Sequence, residues 1–389
     1  MENIKTHYDF IDYAKGIMIL IVVLVHTGVI PINTVAFGMP LFFLVSGFTY
    51  NPGRRTLKEN IARRFKGIMI PFWQYMIVVA LIFIPLKFWL LGKFSPFFFL
   101  FGLLGMIWGT IVCPFKIPGL LIPAASHNML STIAPFSKSA AFLGISAPMW
   151  FLPAMFMASV FFYLLVDWTS RSSIRRIIGI VFLLLCAAVE IVFPALYQLP
   201  WGMGRGFFGG SLMLAGYWMK QSGVTAAGSK AKTAVLFILA LAAYCALIHF
   251  NPDSAYQSLS CYGPFGAWSI PLSFLIGISG SFCLLIICQL ISRIPAGFVK
   301  TFLLHTGKES LMILCLHTML INIIDIIPVL LFKLPVKDGT MFYLNFTGWK
   351  NAAYRIPESI AVALLCILIQ KCIGAVKGSH VPAQAGRQG

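Results

Sequence analysis

Apolar runs close to the length of a membrane-crossing helix recur along nearly the whole chain. A helix needs about 20 mainly apolar residues to cross the hydrocarbon of a bilayer. Such runs lie near 12–31, 37–51, 68–91, 148–166, 175–195, 203–220, 232–250, 265–292, 308–332 and 354–373. The pattern predicts an all-α, polytopic transmembrane bundle of about ten spans. Composition agrees, because 59% of the 389 residues are hydrophobic and only 10% are charged, against about 25% charged in an average soluble domain. These figures exclude a soluble globular enzyme, a disordered chain and a disulfide-stapled module. The net charge of +18 invites a nucleic-acid partner. The cations, however, gather in short connectors between apolar runs, as expected for a protein whose partner is the lipid bilayer.

The connector 51–66 is the most basic, with Arg54, Arg55, Lys58, Arg63, Arg64 and Lys66 against Glu59 alone. The positive-inside rule assigns it to the cytoplasm, which puts the N-terminus inside. The same frame predicts inside positions for 167–176, 220–232, 293–308 and the tail after Lys371, all of them basic. The outward connectors 31–37, 251–264 and 333–353 are poorer in charge. Both ends are therefore expected inside, with the chain in the inner, cytoplasmic membrane of the cell. Residues 96–112 are apolar but short and punctuated by Pro and Gly, and counting them as a span would invert every later loop. A re-entrant or interfacial segment is the expectation there. Residues 1–375 read as a single membrane-embedded domain and 376–389 as a short disordered cytoplasmic tail. Seven of the nine cysteines sit in apolar runs and read as small hydrophobes. No Cys/His spacing calls for a metal.

Ionisable side chains within spans are costly and mark functional candidates. Lys15 and His26 stand eleven residues apart in the first run. This spacing is close to three helical turns, so both face one way, roughly 16 Å apart along the axis. Glu190, Arg205 and Asp325 are expected at a depth similar to that of His26, with His317 nearer the inner side and His305 in an inner loop. Either Glu190 or Asp325 would orient the His26 ring; the competing reading is interhelix salt bridges, with Lys15 simply paired to Asp12. Arg63, Arg64 and Lys66 form a basic helical segment expected to end before Pro71. It serves either as an anchor on anionic lipid or as a seat for a diphosphate.

Several segments together resemble one family. Asp12-Tyr13-Ala14-Lys15-Gly16 followed by His26, and Met39-Pro40-Leu41-Phe42-Phe43 leading to Ser46-Gly47-Phe48, are similar to the opening of acyltransferase-3 membrane proteins. The Lys-Gly form looks most like the fucose 4-O-acetylase-type branch. Trp150-Phe151-Leu152-Pro153 and Thr306-Gly307-Lys308-Glu309-Ser310 through His317 resemble later family segments, in order. The chain departs from the pattern at Gly67, where a second arginine is usual, and at Gly38, where a histidine is common.

The resemblance implies an integral-membrane O-acyltransferase that moves acetyl from acetyl-CoA to a sugar hydroxyl of a surface or exported polysaccharide or glycolipid. Acetyl-CoA would be a co-substrate, with no permanently bound cofactor. It implies His26 as general base, Glu190 as its orienting carboxylate, and Lys15, Ser46, Arg63, Arg64 and Lys66 as donor contacts. Trp150, Arg205 and Asp325 would serve the carbohydrate acceptor. Direct transfer is favoured over an acyl-enzyme relay. A secondary transporter or lipid-linked-sugar flippase is the alternative, against which stand the missing internal repeat and the basic inner helix.

Overall fold

The computed structural model describes residues 8–30, 35–90, 151–192, 200–223, 230–250, 268–295, 297–332, 336–338, 344–346 and 352–379. The expected re-entrant segment 96–112, Trp150, the final ten residues, and Cys113 and Cys261 lie outside the described residues, as does the side chain of Glu190.

A helix lies over each of the ten apolar runs. In chain order these are α1 (Asp9–His26), α2 (Gly38–Phe48), α4 (Ile70–Leu90), α5 (Phe151–Thr169), α6 (Ser173–Val192), α7 (Met203–Gln221), α8 (Lys230–Phe250), α9 (Ser269–Arg293), α11 (Ser310–Phe332) and α12 (Ala352–Ser379). Two further helices, α3 (Leu57–Arg64) and α10 (Phe298–Lys308), lie in stretches read as connectors. An antiparallel ribbon pairs β1 (Val336–Asp338) with β2 (Leu344–Phe346), Lys337 opposite Asn345. Among the described residues, five helices are long and apolar enough to cross a membrane: α5, α8, α9, α11 and α12. With 11 residues, α2 is only about 16 Å long, well short of the hydrocarbon thickness.

The core is built around α7, which packs on α5, α2 and α6, while α1 packs on α10, α9 and α11. Two of these contacts need glycine. A Cβ at Gly47 would run into the Met213 carbonyl, and one at Gly216 into the Leu44 carbonyl, so α2 and α7 touch backbone to backbone. Gly16 and Gly307 do the same for α1 and α10, against the Leu303 and Asp12 carbonyls. Close approach of this kind is how helices gain packing energy where lipid offers no hydrophobic driving force. It also explains why 293–308, read as a loop, carries a helix: Gly307 needs a regular partner surface on α1. The Arg176 guanidinium lies over the Trp218 ring at 3.8 Å and ties α6 to α7. By contrast α8 packs on α9 and leaves Val235, Ile238 and Leu239 exposed, a lipid-facing helix by composition.

The basic segment does not stop before Pro71. Thr56 and Glu59 form a reciprocal capping box that starts α3, and a π turn, Phe65–Met69, joins it to α4. There the Ile70 amide donates to the Phe65 carbonyl, five residues back. Pro71 then occupies the first turn of α4, where a missing amide costs little. Cys186, Cys245, Cys283, Cys288, Cys315, Cys366 and Cys372 are all free thiols, in keeping with their reading as small hydrophobes.

Candidate functional site

Two polar regions lie at different depths of the bundle, and α1 connects them. The first is a cavity of about 400 Å³, within the size range of ligand sites. Its wall combines the end of α2 (Ser46, Thr49), the loop arginines Arg54 and Arg55, Arg63 and Arg64 of α3, and Tyr163 of α5. Arg64 is fixed by a fork: Nη2 donates to Ser46 Oγ at 2.6 Å and Nε to Tyr163 Oη at 3.0 Å. Beside the cavity, Lys220 Nζ reaches Asn51 Oδ1 at 2.7 Å and the Tyr50 carbonyl at 3.2 Å. A smaller cavity of about 190 Å³ shares Thr49 and Asn51 with the first and is lined by Lys15, Asp12 and Lys220. Lys15 Nζ sits 2.6 Å from Asp12 Oδ1. A diphosphate is the kind of ligand that several guanidinium groups converging on one polar cavity bind well.

The second region lies at the other end of α1. His26 is its last residue and only partly buried. Its ring lies against that of His317 of α11, centroids 4.9 Å apart and planes inclined at 41°. His317 is fully buried. Its Nδ1 is 2.9 Å from both the Ile313 and Leu314 carbonyls. Carbonyl oxygens only accept, so Nδ1 bears the proton and Nε2 carries a lone pair. The next residue, Thr27, meets the Ser359 hydroxyl of α12 at 3.1 Å. One turn earlier on α12, Arg355 Nη1 donates to Asp325 Oδ1 at 2.6 Å and Glu358 Oε2 at 2.7 Å. Both carboxylates are buried, at 4% and 1% side-chain exposure. An imidazole pair thus stands beside a buried Arg–carboxylate cluster.

A family model described as an acyltransferase domain matches residues 8–369, enclosing both regions. The chain belongs to the acyltransferase-3 family. No curated protein and no solved structure matches it. The protein is a membrane acyltransferase.

In this acyltransferase the residues named from sequence fall in several places. Ser46, Arg63 and Arg64 line one cavity. The exposed Lys66 sits on the π turn outside its wall, while its neighbour Gly67 lines it. Lys15 belongs to the adjoining small cavity and pairs with Asp12, the alternative reading of that lysine. His26 closes α1 at the end away from these cavities. Asp325 is engaged by Arg355, the salt-bridge reading of this aspartate. Arg205 itself is buried in the first turn of α7, next to Trp201 and Gly202, which both adopt left-handed backbone at φ 60° and 63°.

Sequence reading passed over Arg355, Glu358 and Tyr163 and gave His317 no role beyond a motif. His305, expected in a loop, is on α10. The i, i+3 spacing of Arg355 and Glu358 was a visible signal for an ion pair at the start of an apolar run. The pairing of His26 with His317 had no local signal, since 291 residues separate them in the sequence.

Proposed function

We propose that this membrane acyltransferase is an acetyl-CoA-dependent O-acetyltransferase of the fucose 4-O-acetylase type. Its acceptor is a sugar hydroxyl of a surface or exported polysaccharide or glycolipid, and it works as a multi-pass protein of the inner cell membrane. The observation that carries this reading is a single helix, α1, with the donor-type cavities at its start and the imidazole of His26 at its end.

The basic region faces the cytoplasm in this reading, as the positive-inside rule requires. Arg64, held by Ser46 and Tyr163, grips the CoA diphosphate together with Arg63, and Lys15 and Lys66 add charge around the entrance. The pantetheine arm runs along α1 toward His26. There a neutral imidazole takes the proton of the incoming sugar hydroxyl while its oxygen attacks the thioester carbonyl carbon. The C–S bond breaks, and the leaving thiolate recovers that proton. Direct transfer needs no acyl-enzyme. Trp150 and Arg205 are assigned to the acceptor half, with Asp325 contributing through its pair with Arg355.

The test uses membranes carrying the full chain, radiolabelled acetyl-CoA and the host glycan. Wild type labels the glycan and His26→Ala abolishes labelling, by at least about 10³-fold for loss of a general base in a site with few other catalytic groups. Equal labelling by both proteins overturns the assignment of His26. Uptake of a sugar into vesicles without acetyl-CoA overturns the enzymatic reading in favour of a transporter.

A further inference from the structure

The sequence offers Glu190 or Asp325 as the carboxylate that orients His26; the side chain of Glu190 lies outside the described residues, and among those described an imidazole lies against the His26 ring. His317 is the neighbour whose ring meets that of His26, at 4.9 Å between centroids. It lies behind His26, fully buried where His26 is partly accessible. Both carbonyls one turn earlier on α11 hold its Nδ1 proton at 2.9 Å, which fixes the tautomer and the ring. The consequence falls on Nε2. It is a lone-pair acceptor, buried, with no hydrogen-bond partner among the described residues. A buried acceptor left unmatched is costly, so a donor brought to it in the working state is held firmly. The ring that lies against it belongs to His26.

We infer that His317 is the positioning residue of the transfer reaction: its Nε2 accepts the N–H of His26 and so directs the other nitrogen of His26 at the acceptor hydroxyl. This rests on the assignment of His26 as base. A modest turn of the His26 ring about its side-chain bonds converts the tilted contact, now at 41°, into an N–H···N hydrogen bond. In the step itself the hydroxyl proton moves to the other nitrogen of His26 as oxygen bonds to the thioester carbon. The thiolate departs with the C–S electron pair and takes that proton back. The proton shared with His317 stays on His26 throughout. A carboxylate usually fills this place and stabilises the imidazolium by charge. A neutral imidazole orients without adding a negative charge to a site inside the membrane, where an unpaired carboxylate is costly. Asp325 and Glu358, buried carboxylates of α11 and α12, are each bonded to Arg355.

Three substitutions test this, read by steady-state kinetics with acetyl-CoA on the full chain in membranes. Glutamine keeps an acceptor oxygen where Nε2 stood, asparagine keeps only a donor where Nδ1 stood, and leucine keeps neither. His317→Leu and His317→Asn are expected to lower kcat at least about 30-fold with KM for acetyl-CoA within about twofold, the pattern of a group that acts only in the transition state. His317→Gln is expected to stay within about fivefold of wild type. Asparagine preserves the bond to α11, so it distinguishes lost orientation from lost folding, and thermal unfolding of each variant in detergent provides the control. Equal activity in all three variants, equal loss in all three, or a loss confined to KM overturns the inference. His26→Ala inactive beside a fully active His317→Leu overturns this inference alone, whereas an active His26→Ala overturns the reading beneath it.

Discussion

The two ends of α1 handle charge in opposite ways. Around the start of α1, Arg54, Arg55, Arg63 and Arg64 converge on an open cavity, and Arg64 donates to the hydroxyls of Ser46 and Tyr163. Beyond its end, Arg355 is closed in by Asp325 and Glu358, both nearly inaccessible. Water and an anionic ligand can compensate exposed guanidiniums, so their charge remains available for binding. A guanidinium in a low-dielectric interior must be neutralised by the protein itself, so its charge goes into holding α11 to α12. The same residue type therefore serves recognition at one end and architecture at the other.

The sharpest way to break this contrast is Arg355→Ala. Two buried carboxylates then lose the cation they share, which costs about 3–5 kcal/mol. Thermal unfolding in detergent should show a large drop, and adding Asp325→Asn and Glu358→Gln should recover most of it. At the other end, Arg64→Ala should leave the unfolding temperature nearly unchanged. It should instead raise KM for acetyl-CoA about 10- to 100-fold, the size of one or two charge-assisted hydrogen bonds. Arg64→Lys should rescue this poorly, because an ammonium cannot serve Ser46 and Tyr163 with the same planar fork.

The frame between the two ends can be tested separately. Gly47→Ala places a methyl group against the Met213 carbonyl, backbone that cannot step aside, and should cost about 1–3 kcal/mol. If the contacts of α2 with α7 and of α1 with α10 do the same work, Gly307→Ala should cost a similar amount. The smallest effect is expected at the cap of α3. The Thr56 backbone amide, and then its hydroxyl, hold the Glu59 carboxylate below the ordinary glutamate range. A lowered folded-state value means the cap stabilises above the ordinary glutamate value and loses that contribution as pH falls through the lowered one. Amide protection factors at 57–60, which correct for the intrinsic pH dependence of exchange, should therefore fall on acidification in wild type and be low at all pH values in Glu59→Ala.

Much of this was legible along the chain because lipid imposes a one-dimensional rule. Every backbone polar group within the hydrocarbon must be paired, so each long apolar run had to become a helix, and each did. The basic cluster before α4 was legible for the same reason: its cations must stay in water, at one surface. Arg64 and Ser46 were both named, but their bond depends on α3 folding back against α2 and α5, which no local pattern encodes. The helix through Pro71 was misjudged because a proline ends most helices, whereas here it stands in the first turn after a π turn. The segment of α10 was read as a loop because its charge resembled that of the other connectors. Its reason for being helical, the contact of Gly307 with α1, lies 295 residues away at Asp12.

By itself, the sequence determined that this protein is a helical membrane bundle with its cations massed in a few connectors, since hydropathy and charge are summed along the chain and need no partner. Only the tertiary structure decided which ionisable groups meet: that Asp325 and Glu358 share Arg355, and that His26 faces His317. Pairing is a property of distance in space, and the packing of α1 against α11 and of α11 against α12 is set by side-chain shape and glycine contacts over the whole bundle.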